Sequence, residues 1–312
     1  MSEVQNYDVV IIGGGPAGLT AGLYAGRSML KTVMLEKMMP GGQVSITAEL
    51  ENYPGIVNIT GPDIIIEMEK QVKKFGVETR SEEVESIEPG SGNSGHTIVT
   101  DSGTYLAKTI IITSGASAKH VGCEGEDSHI GRGVSYCATC DGAFFRDKEV
   151  VVIGGGDSAV EEATYLTKFA SKVSVIHRRD QLRASKILQQ RAFNNSKVNF
   201  IWDSVVEAIE GEPLVNNVKI KNVKTGEITD FKTDGVFVFI GFNPSNEFLP
   251  DAIKRDHSGF IITGENMETS VPGIFAAGDI RSKLLKQVVT ACGDAATAAF
   301  AAEKYIEWNF DD

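Results

Sequence analysis

The sequence is poor in cysteine, with four in 312 residues: Cys123, Cys137, Cys140 and Cys292. That is too few for a disulfide scaffold, which depends on a dense framework of bridges. Positive charge is also short. Lys and Arg total 30 against 42 Asp and Glu, a formal net charge of −12. Non-specific nucleic-acid binding runs on Lys and Arg neutralising phosphates, so this balance argues against nucleic acid as a partner. Long apolar runs are scarce. The longest uncharged stretch, Val9 to Gly26, contains six glycines and a proline. It reads as strand, tight turn and helix, so no membrane span is expected. Met1 to Asp8 carries Glu3 and Asp8 but no Lys or Arg, the wrong sign for a signal peptide. A cytoplasmic location is therefore expected. Thiols are kept reduced there, and a close cysteine pair is more often catalytic or metal-binding than structural. Glycine, by contrast, is abundant at 33 residues.

Part of that glycine lies in an internal repeat. Residues 8–18 read DVVIIGGGPAG and residues 149–159 read EVVVIGGGDSA, an offset of 141. It aligns Val10 with Val151, Ile12 with Ile153, Gly13, Gly14 and Gly15 with Gly154, Gly155 and Gly156, and Tyr24 with Tyr165. Each copy predicts a strand buried on both faces, a glycine turn, and a helix (LTAGLYAGRS in one, AVEEATYLTK in the other). In such a unit the first glycine makes the turn, the second lets the backbone approach a pyrophosphate, and the third packs helix on strand. The helix N-terminus offers free N–H groups and a positive dipole end. Candidate phosphate-binding residues are Gly13, Gly15, Pro16, Ala17 and Gly18 in the first copy. In the second they are Gly154, Gly155, Gly156, Asp157, Ser158 and Ala159, with alanine in the third glycine's place. One such turn is weak evidence; two at equivalent places predict two dinucleotides.

The repeat also separates the ligands. An acidic residue at the end of the second strand binds a ribose 2′-OH in this kind of unit. In the first copy that strand, Thr32–Leu35, ends at Glu36. In the second it is Val173–Ile176, and the position matching Glu36 is His177, followed by Arg178, Arg179 and Arg183. A carboxylate there would repel a 2′-phosphate, whereas guanidiniums attract one through forked, charge-assisted hydrogen bonds. The first site should take a dinucleotide with a free 2′-OH, and the second NADP(H).

Cys137-Ala138-Thr139-Cys140 lies just before the second copy and is followed by Asp141 and Gly142. Half a zinc site, coincidence and a redox dithiol compete as readings. The other cysteines are single and distant, so no second pair completes four zinc ligands, and no metal is expected. A dithiol suits the spacing, because each thiolate can attack the other's mixed disulfide. Asp141 is placed either to exchange a proton with a leaving thiolate or to serve as a turn residue. Cys123 and Cys292 read as small buried hydrophobes.

Together these segments resemble the low-molecular-weight, bacterial-type thioredoxin reductases of the FAD/NADPH pyridine nucleotide-disulfide oxidoreductase family. The resemblance spans about Tyr7 to Ile306 and rests on GGGPAG at 13–18, GGQ at 41–43, ENYPG at 51–55, CATCDG at 137–142, GGGDSA at 154–159, HRRDQLR at 177–183 and AAGD at 276–279. It implies an α/β fold of two Rossmann-like, three-layer domains, with an NADPH domain (116–244) inserted into an FAD domain (1–115 and 245–312). FAD would lie on the Gly13–Gly18 turn with Glu36 on a ribose. Gly41, Gly42, Gln43 and Asn52 would lie near the flavin, Asp279 at the ribityl chain, and Gln287 and Val288 at the ring, with Gly278 and Lys286 also among the FAD-binding residues. Ser270–Ala277 also reads as a strand carrying Asp279 past its C-terminal end. The resemblance implies NADPH reducing FAD, FAD reducing Cys137–Cys140 with Cys140 on the flavin side, and Cys137 attacking oxidised thioredoxin with Asp141 as acid/base. It further implies a homodimer and a domain rotation about Gly115-Ala116 and Gly241-Phe242-Asn243. A glutaredoxin-like or peroxidase-linked acceptor is the alternative. Two departures stand out: Ala143 occupies a position often aromatic in the family, and Lys286 one that is usually Arg. Arg132 resembles a thioredoxin-contacting residue.

Overall fold

The computed structural model describes residues 4–47, 50, 52–91 and 94–310, apart from the side chain of Ile46. Glu51 of the ENYPG run lies outside the described residues. The chain divides into two compact units, one made of Met1–Ser117 with Asn243–Asp312, the other of Ala118–Phe242.

The first unit is built on the strand Gln5–Ile12, whose Val9, Val10 and Ile11 are wholly buried. β-Branched residues pack well on a pleated surface covered on both faces, which is why this run carries no polar alternation. It pairs in parallel with Thr32–Glu36 on one side and Thr104–Ile112 on the other. Glu78–Ser81 extends the sheet beyond Thr32–Glu36. The far half of Thr104–Ile112 pairs with Ile274–Ala276, while its near half pairs antiparallel with His96–Thr100, and Val84–Glu88 completes the seven strands. The helix Pro16–Arg27 begins with Pro at its first turn, where no N–H is needed and φ is already helical. Its small face (Ala17, Ala21, Ala25) shares a core with Ala291, Ala295, Ala298 and Ala302 of the C-terminal helix Val288–Asn309.

The second unit repeats the plan. Lys172–Ile176, Glu149–Gly154 and Gly235–Phe239 run parallel in that spatial order, with Val198–Ile201 and Val134–Ser135 at the two edges. An antiparallel sheet of Ser204–Glu210, Asn217–Asn222 and Ile228–Lys232 packs into the same unit. The repeat extends to the register. Val10 pairs with Val33 and Ile12 with Leu35; at the same offset Val151 pairs with Ser174 and Ile153 with Ile176.

Two readings need correction. Both repeat helices start two or three residues before their amphipathic patterns, at Pro16 and at Asp157, because the last glycine of each run already serves as the N-cap. The expected strand Ser270–Ala277 is reduced to Ile274–Ala276. Pro272 has no N–H for a ladder, and the chain turns there, with the Ile274 N–H donating to the Val271 carbonyl at 3.1 Å.

Candidate functional site

At the first glycine turn the three glycine roles separate physically. Gly13 has φ +108°, and a Cβ there would stand 2.5 Å from the Thr113 carbonyl oxygen. A Cβ at Gly18 would stand 1.8 Å from the Gly13 carbonyl oxygen, so only glycine lets helix and strand approach this closely. At Gly15 a Cβ would meet nothing within 4 Å. The helix therefore opens onto free space, capped by a residue with no side chain. The N–H groups of its first turn have no intrahelical acceptor. That cradle fits a diphosphate.

Glu36 ends the neighbouring strand, as its β-branched run dictates. Its Oε2 accepts the Gly14 N–H at 2.6 Å and its Oε1 the Met38 N–H at 3.0 Å, which fixes the side chain beside the turn. The Gly41 N–H donates to the Gly14 carbonyl at 2.8 Å, so the GGQ segment joins the same edge, with Gln43 exposed in the short helix Gly42–Ile46. Asn52 Nδ2 donates to Gln287 Oε1 at 3.0 Å. Gln287 is the N-cap of the C-terminal helix and Val288 its first residue. The Gly278 turn abuts Ala17, 2.9 Å from where a Cβ would be. The first-site residues thus converge on one edge of the sheet.

Asp279 completes that edge. Its Oδ1 is buried and has no partner among the described residues, a costly state unless a ligand group donates to it. Burial pushes its carboxyl up despite the neighbouring Lys286 and Lys283. Lys286 donates to the carbonyls of Asp279 and Arg281 and lies 3.9 Å from the centre of the Phe260 ring. Burial lowers its pKa to about 8.

Asp294 was not apparent from sequence. Its Oδ1 meets Arg281 Nη1 at 2.8 Å, its Oδ2 meets Lys283 Nζ at 2.7 Å, and the same Oδ2 accepts the Gly278 N–H at 3.2 Å. It therefore pins the Gly278–Asp279 turn to the long helix. Asp294→Ala would leave two partly buried cations unpaired, an expected cost of about 3 kcal/mol. A lowered midpoint in chemical denaturation is the measurement, and an unchanged midpoint would contradict the pinning role.

At the second turn a Cβ on Gly155 would stand 2.3 Å from the His177 ring. His177 is 5% exposed, and its Nε2 has no partner among the described residues. Burial, aided by Arg183, Arg179 and Arg178, lowers its pKa. It supports the turn as a neutral ring rather than adding a cation to the cluster. Arg178, Arg179 and Arg183 are exposed and make no ion pair among the described residues. The Arg183 N–H donates to the Gly155 carbonyl at 2.7 Å, and its Nη2 lies 3.9 Å from where a Cβ on Gly156 would be. The Asp157 carboxylate is turned onto the Ser185 N–H at 2.6 Å, and Ser158 and Ala159 follow in the first turn, with Ala159 buried against the sheet. Guanidiniums without an ion pair among the described residues, beside a helix start that has no side-chain cap, fit a dinucleotide carrying an additional phosphate.

Cys137 and Cys140 are joined as a disulfide, Cα atoms 5.3 Å apart. Cys137 is the N-cap of the short helix Ala138–Asp141, its sulfur accepting the Cys140 N–H at 3.2 Å. Ala138 anchors that helix in the core with Val150, Ala159 and Ala163. Burial pushes the Asp141 carboxyl up, and a hydrogen bond from Ser135 acts the other way. Phe145 is buried against Phe237, whereas Phe144 is 41% exposed beside exposed Ala143. Arg132 is exposed and donates to the Ser128 carbonyl at 2.6 Å. Cys123 and Cys292 are half-buried rather than buried. Burial raises both thiols, Cys123 to about 11, which makes them poor nucleophiles. Among the described residues no three His, Cys, Asp or Glu stand where they could hold a metal, and no helix is long and apolar enough to cross a membrane.

Residues 7–295 match the family described as pyridine nucleotide-disulphide oxidoreductase. A thioredoxin reductase from Peptoclostridium acidaminophilum is 49% identical over 98% of this chain and 99% of its own length. One from Bacillus subtilis (strain 168) is 49% identical over 98% of this chain and 97% of its own. The crystal structure of thioredoxin reductase from Streptococcus pyogenes MGAS5005 is 51% identical, with a TM-score of 0.94 over 98% of this chain and all of that one.

Proposed function

Because the chain belongs to the pyridine nucleotide-disulphide oxidoreductase family, we infer that it is a thioredoxin-disulfide reductase that uses FAD and NADPH. The observation that carries this reading is the Cys137–Cys140 disulfide at a helix start, two hydrogen bonds away from a partly buried carboxyl. When bound, NADPH supplies a hydride and FAD relays its electron pair to that disulfide.

The chain's own residues do the rest. Gly13, Gly15, Pro16, Ala17 and Gly18 form the diphosphate cradle for FAD, and Glu36 accepts a ribose hydroxyl. Asp279 receives a hydroxyl donor at its buried oxygen, and Gly41, Gly42, Gln43, Asn52, Gly278, Lys286, Gln287 and Val288 line the same edge. Gly154, Gly155, Gly156, Asp157, Ser158 and Ala159 receive the diphosphate of NADPH. Arg178, Arg179 and Arg183 bind its 2′-phosphate, with His177 as support. In the dithiol form, the Cys137 thiolate attacks one sulfur of oxidised thioredoxin. The other sulfur leaves with the electron pair and takes a proton from Asp141. Cys140 then attacks the Cys137 sulfur, which releases the second thioredoxin thiol and restores the disulfide. Raising the Asp141 carboxyl by burial suits it to hold that proton. Exposed Phe144 and Arg132 are the side chains we assign to thioredoxin contact. A homodimer and a cytoplasmic location complete the proposal.

The purified protein should be yellow, with flavin absorption that bleaches on anaerobic addition of NADPH and returns on adding oxidised thioredoxin. A colourless preparation would overturn the flavin assignment. Return of colour with a glutaredoxin-like protein but not with thioredoxin would replace the acceptor.

A further inference from the structure

We propose that Ser135 is a positioning residue for disulfide exchange, its hydroxyl holding the Asp141 carboxyl against the Cys137 backbone. The inference rests on the reading of Asp141 as proton donor to the leaving thiolate. Ser135 ends the short strand Val134–Ser135 and is 5% exposed, so water does not readily take its place. Its Oγ lies 2.6 Å from Asp141 Oδ2, accepts the Cys137 N–H at 3.1 Å, and lies 3.2 Å from the Cys137 carbonyl oxygen. Among the described residues this is the one side-chain hydrogen bond to Asp141.

A hydroxyl has one proton and two lone pairs, enough to keep Ser135 bonded to both the acid and the Cys137 backbone in either protonation state of the acid. With Asp141 ionised, Ser135 donates to the carboxylate, and 2.6 Å is the length expected of such a charge-assisted bond. With Asp141 protonated, the carboxyl donates to Ser135, which turns its own proton to the Cys137 carbonyl. Ser135 thus stays bonded to both the acid and the cysteine backbone whichever way the proton moves. In the exchange step the Cys137 thiolate forms a bond to one acceptor sulfur as the acceptor S–S bond breaks. The electron pair goes to the leaving sulfur, and the proton passes to it from Asp141.

The helix packed against this turn, Asp157–Leu166, carries Asp157, Glu161, Glu162 and Tyr165. None of these shifts Asp141; burial raises its carboxyl and the Ser135 bond lowers it. Removing the hydroxyl therefore raises the carboxyl further. Turnover falls as pH rises through the pKa of a group that must be protonated, so the alkaline limb of the profile moves to higher pH.

The test is steady-state thioredoxin reduction against pH, with anaerobic flavin reduction by NADPH measured in parallel. Ser135→Ala should lower kcat about tenfold, a fraction of the roughly 10²–10⁴-fold that a positioned general acid contributes, leave the thioredoxin KM unchanged and displace the alkaline limb upward. Flavin reduction by NADPH should keep its rate. Ser135→Thr and Ser135→Val match in shape and differ in the hydroxyl, so they isolate it if the alanine variant folds poorly. The threonine variant should recover kcat and the profile, and the valine variant should not. A wild-type profile for Ser135→Ala, or equal behaviour of the Thr and Val variants, overturns the proposal. Asp141→Asn separates the two readings. If it turns over normally, the acid assignment itself fails; if it is impaired while Ser135→Ala is normal, only the positioning role fails.

Discussion

Cys137→Ser is expected to lose thioredoxin turnover by at least about a thousandfold, the scale on which removal of an enzyme nucleophile registers, while flavin reduction by NADPH continues. The variant is a clean probe because it keeps the local fold. The sulfur at 137 caps the helix Ala138–Asp141 by accepting the Cys140 N–H, and a serine oxygen is the better acceptor for that role. Ser135 would still receive the N–H of residue 137 through the backbone. What disappears is the thiolate that attacks the acceptor and the partner with which Cys140 closes the disulfide. Stopped-flow flavin reduction and steady-state thioredoxin reduction on one preparation check both halves. Retained turnover would refute the dithiol role. Neither Cys123 nor Cys292 can replace the missing sulfur, since burial holds both thiols protonated.

The glycine turns were legible because their signal is local and occurs twice. Gly13, Gly18 and Gly155 each stand where a Cβ would collide with backbone or a ring, and such constraints are written into a few consecutive residues. The pairing register repeats at the same offset, so the second strands could be aligned from the first. Glu36 followed from its place at the end of the second strand, and the offset then gave His177 as its counterpart; Glu36 stands beside Gly14. Contacts between residues that share no spacing rule were not legible. Asp294 lies in a helix whose alanine face announces packing, and nothing in the order of residues ties it to Arg281, Lys283 and the Gly278 N–H. Ser135 precedes a motif whose cysteines dominate any reading, and its bond to Asp141 depends on the turn between them. The burial of His177 was not legible either: the strand Lys172–Ile176 runs straight into it and places the ring under Gly155, where a charge is costly.

Replacing Arg178, Arg179 and Arg183 together by Ala should lower kcat/KM for NADPH about a hundredfold or more and leave that for NADH nearly unchanged. NADPH differs from NADH by one 2′-phosphate, so only contacts to that group discriminate. Each exposed charge-assisted contact contributes about 1 kcal/mol, and every 1.4 kcal/mol is a factor of about ten; three such contacts reach about a hundredfold. The fold has no stake in these guanidiniums. None makes an ion pair among the described residues, and Arg183 holds the glycine turn through its backbone N–H, which alanine retains. His177 keeps its place because Gly155 and the strand confine it. Salt supplies an independent check. Contacts between an exposed guanidinium and a phosphate are screened, so wild-type preference for NADPH should shrink with ionic strength while the triple variant shows little further change. An equal fall with both coenzymes would mean that the arginines support the site generally, and their assignment to the 2′-phosphate would be withdrawn. The first site makes the contrast physical. There Glu36, accepting two backbone N–H groups, occupies the position that His177 and its arginines take in the second. On the proposed assignment, one strand end therefore repels the phosphate that the other recruits.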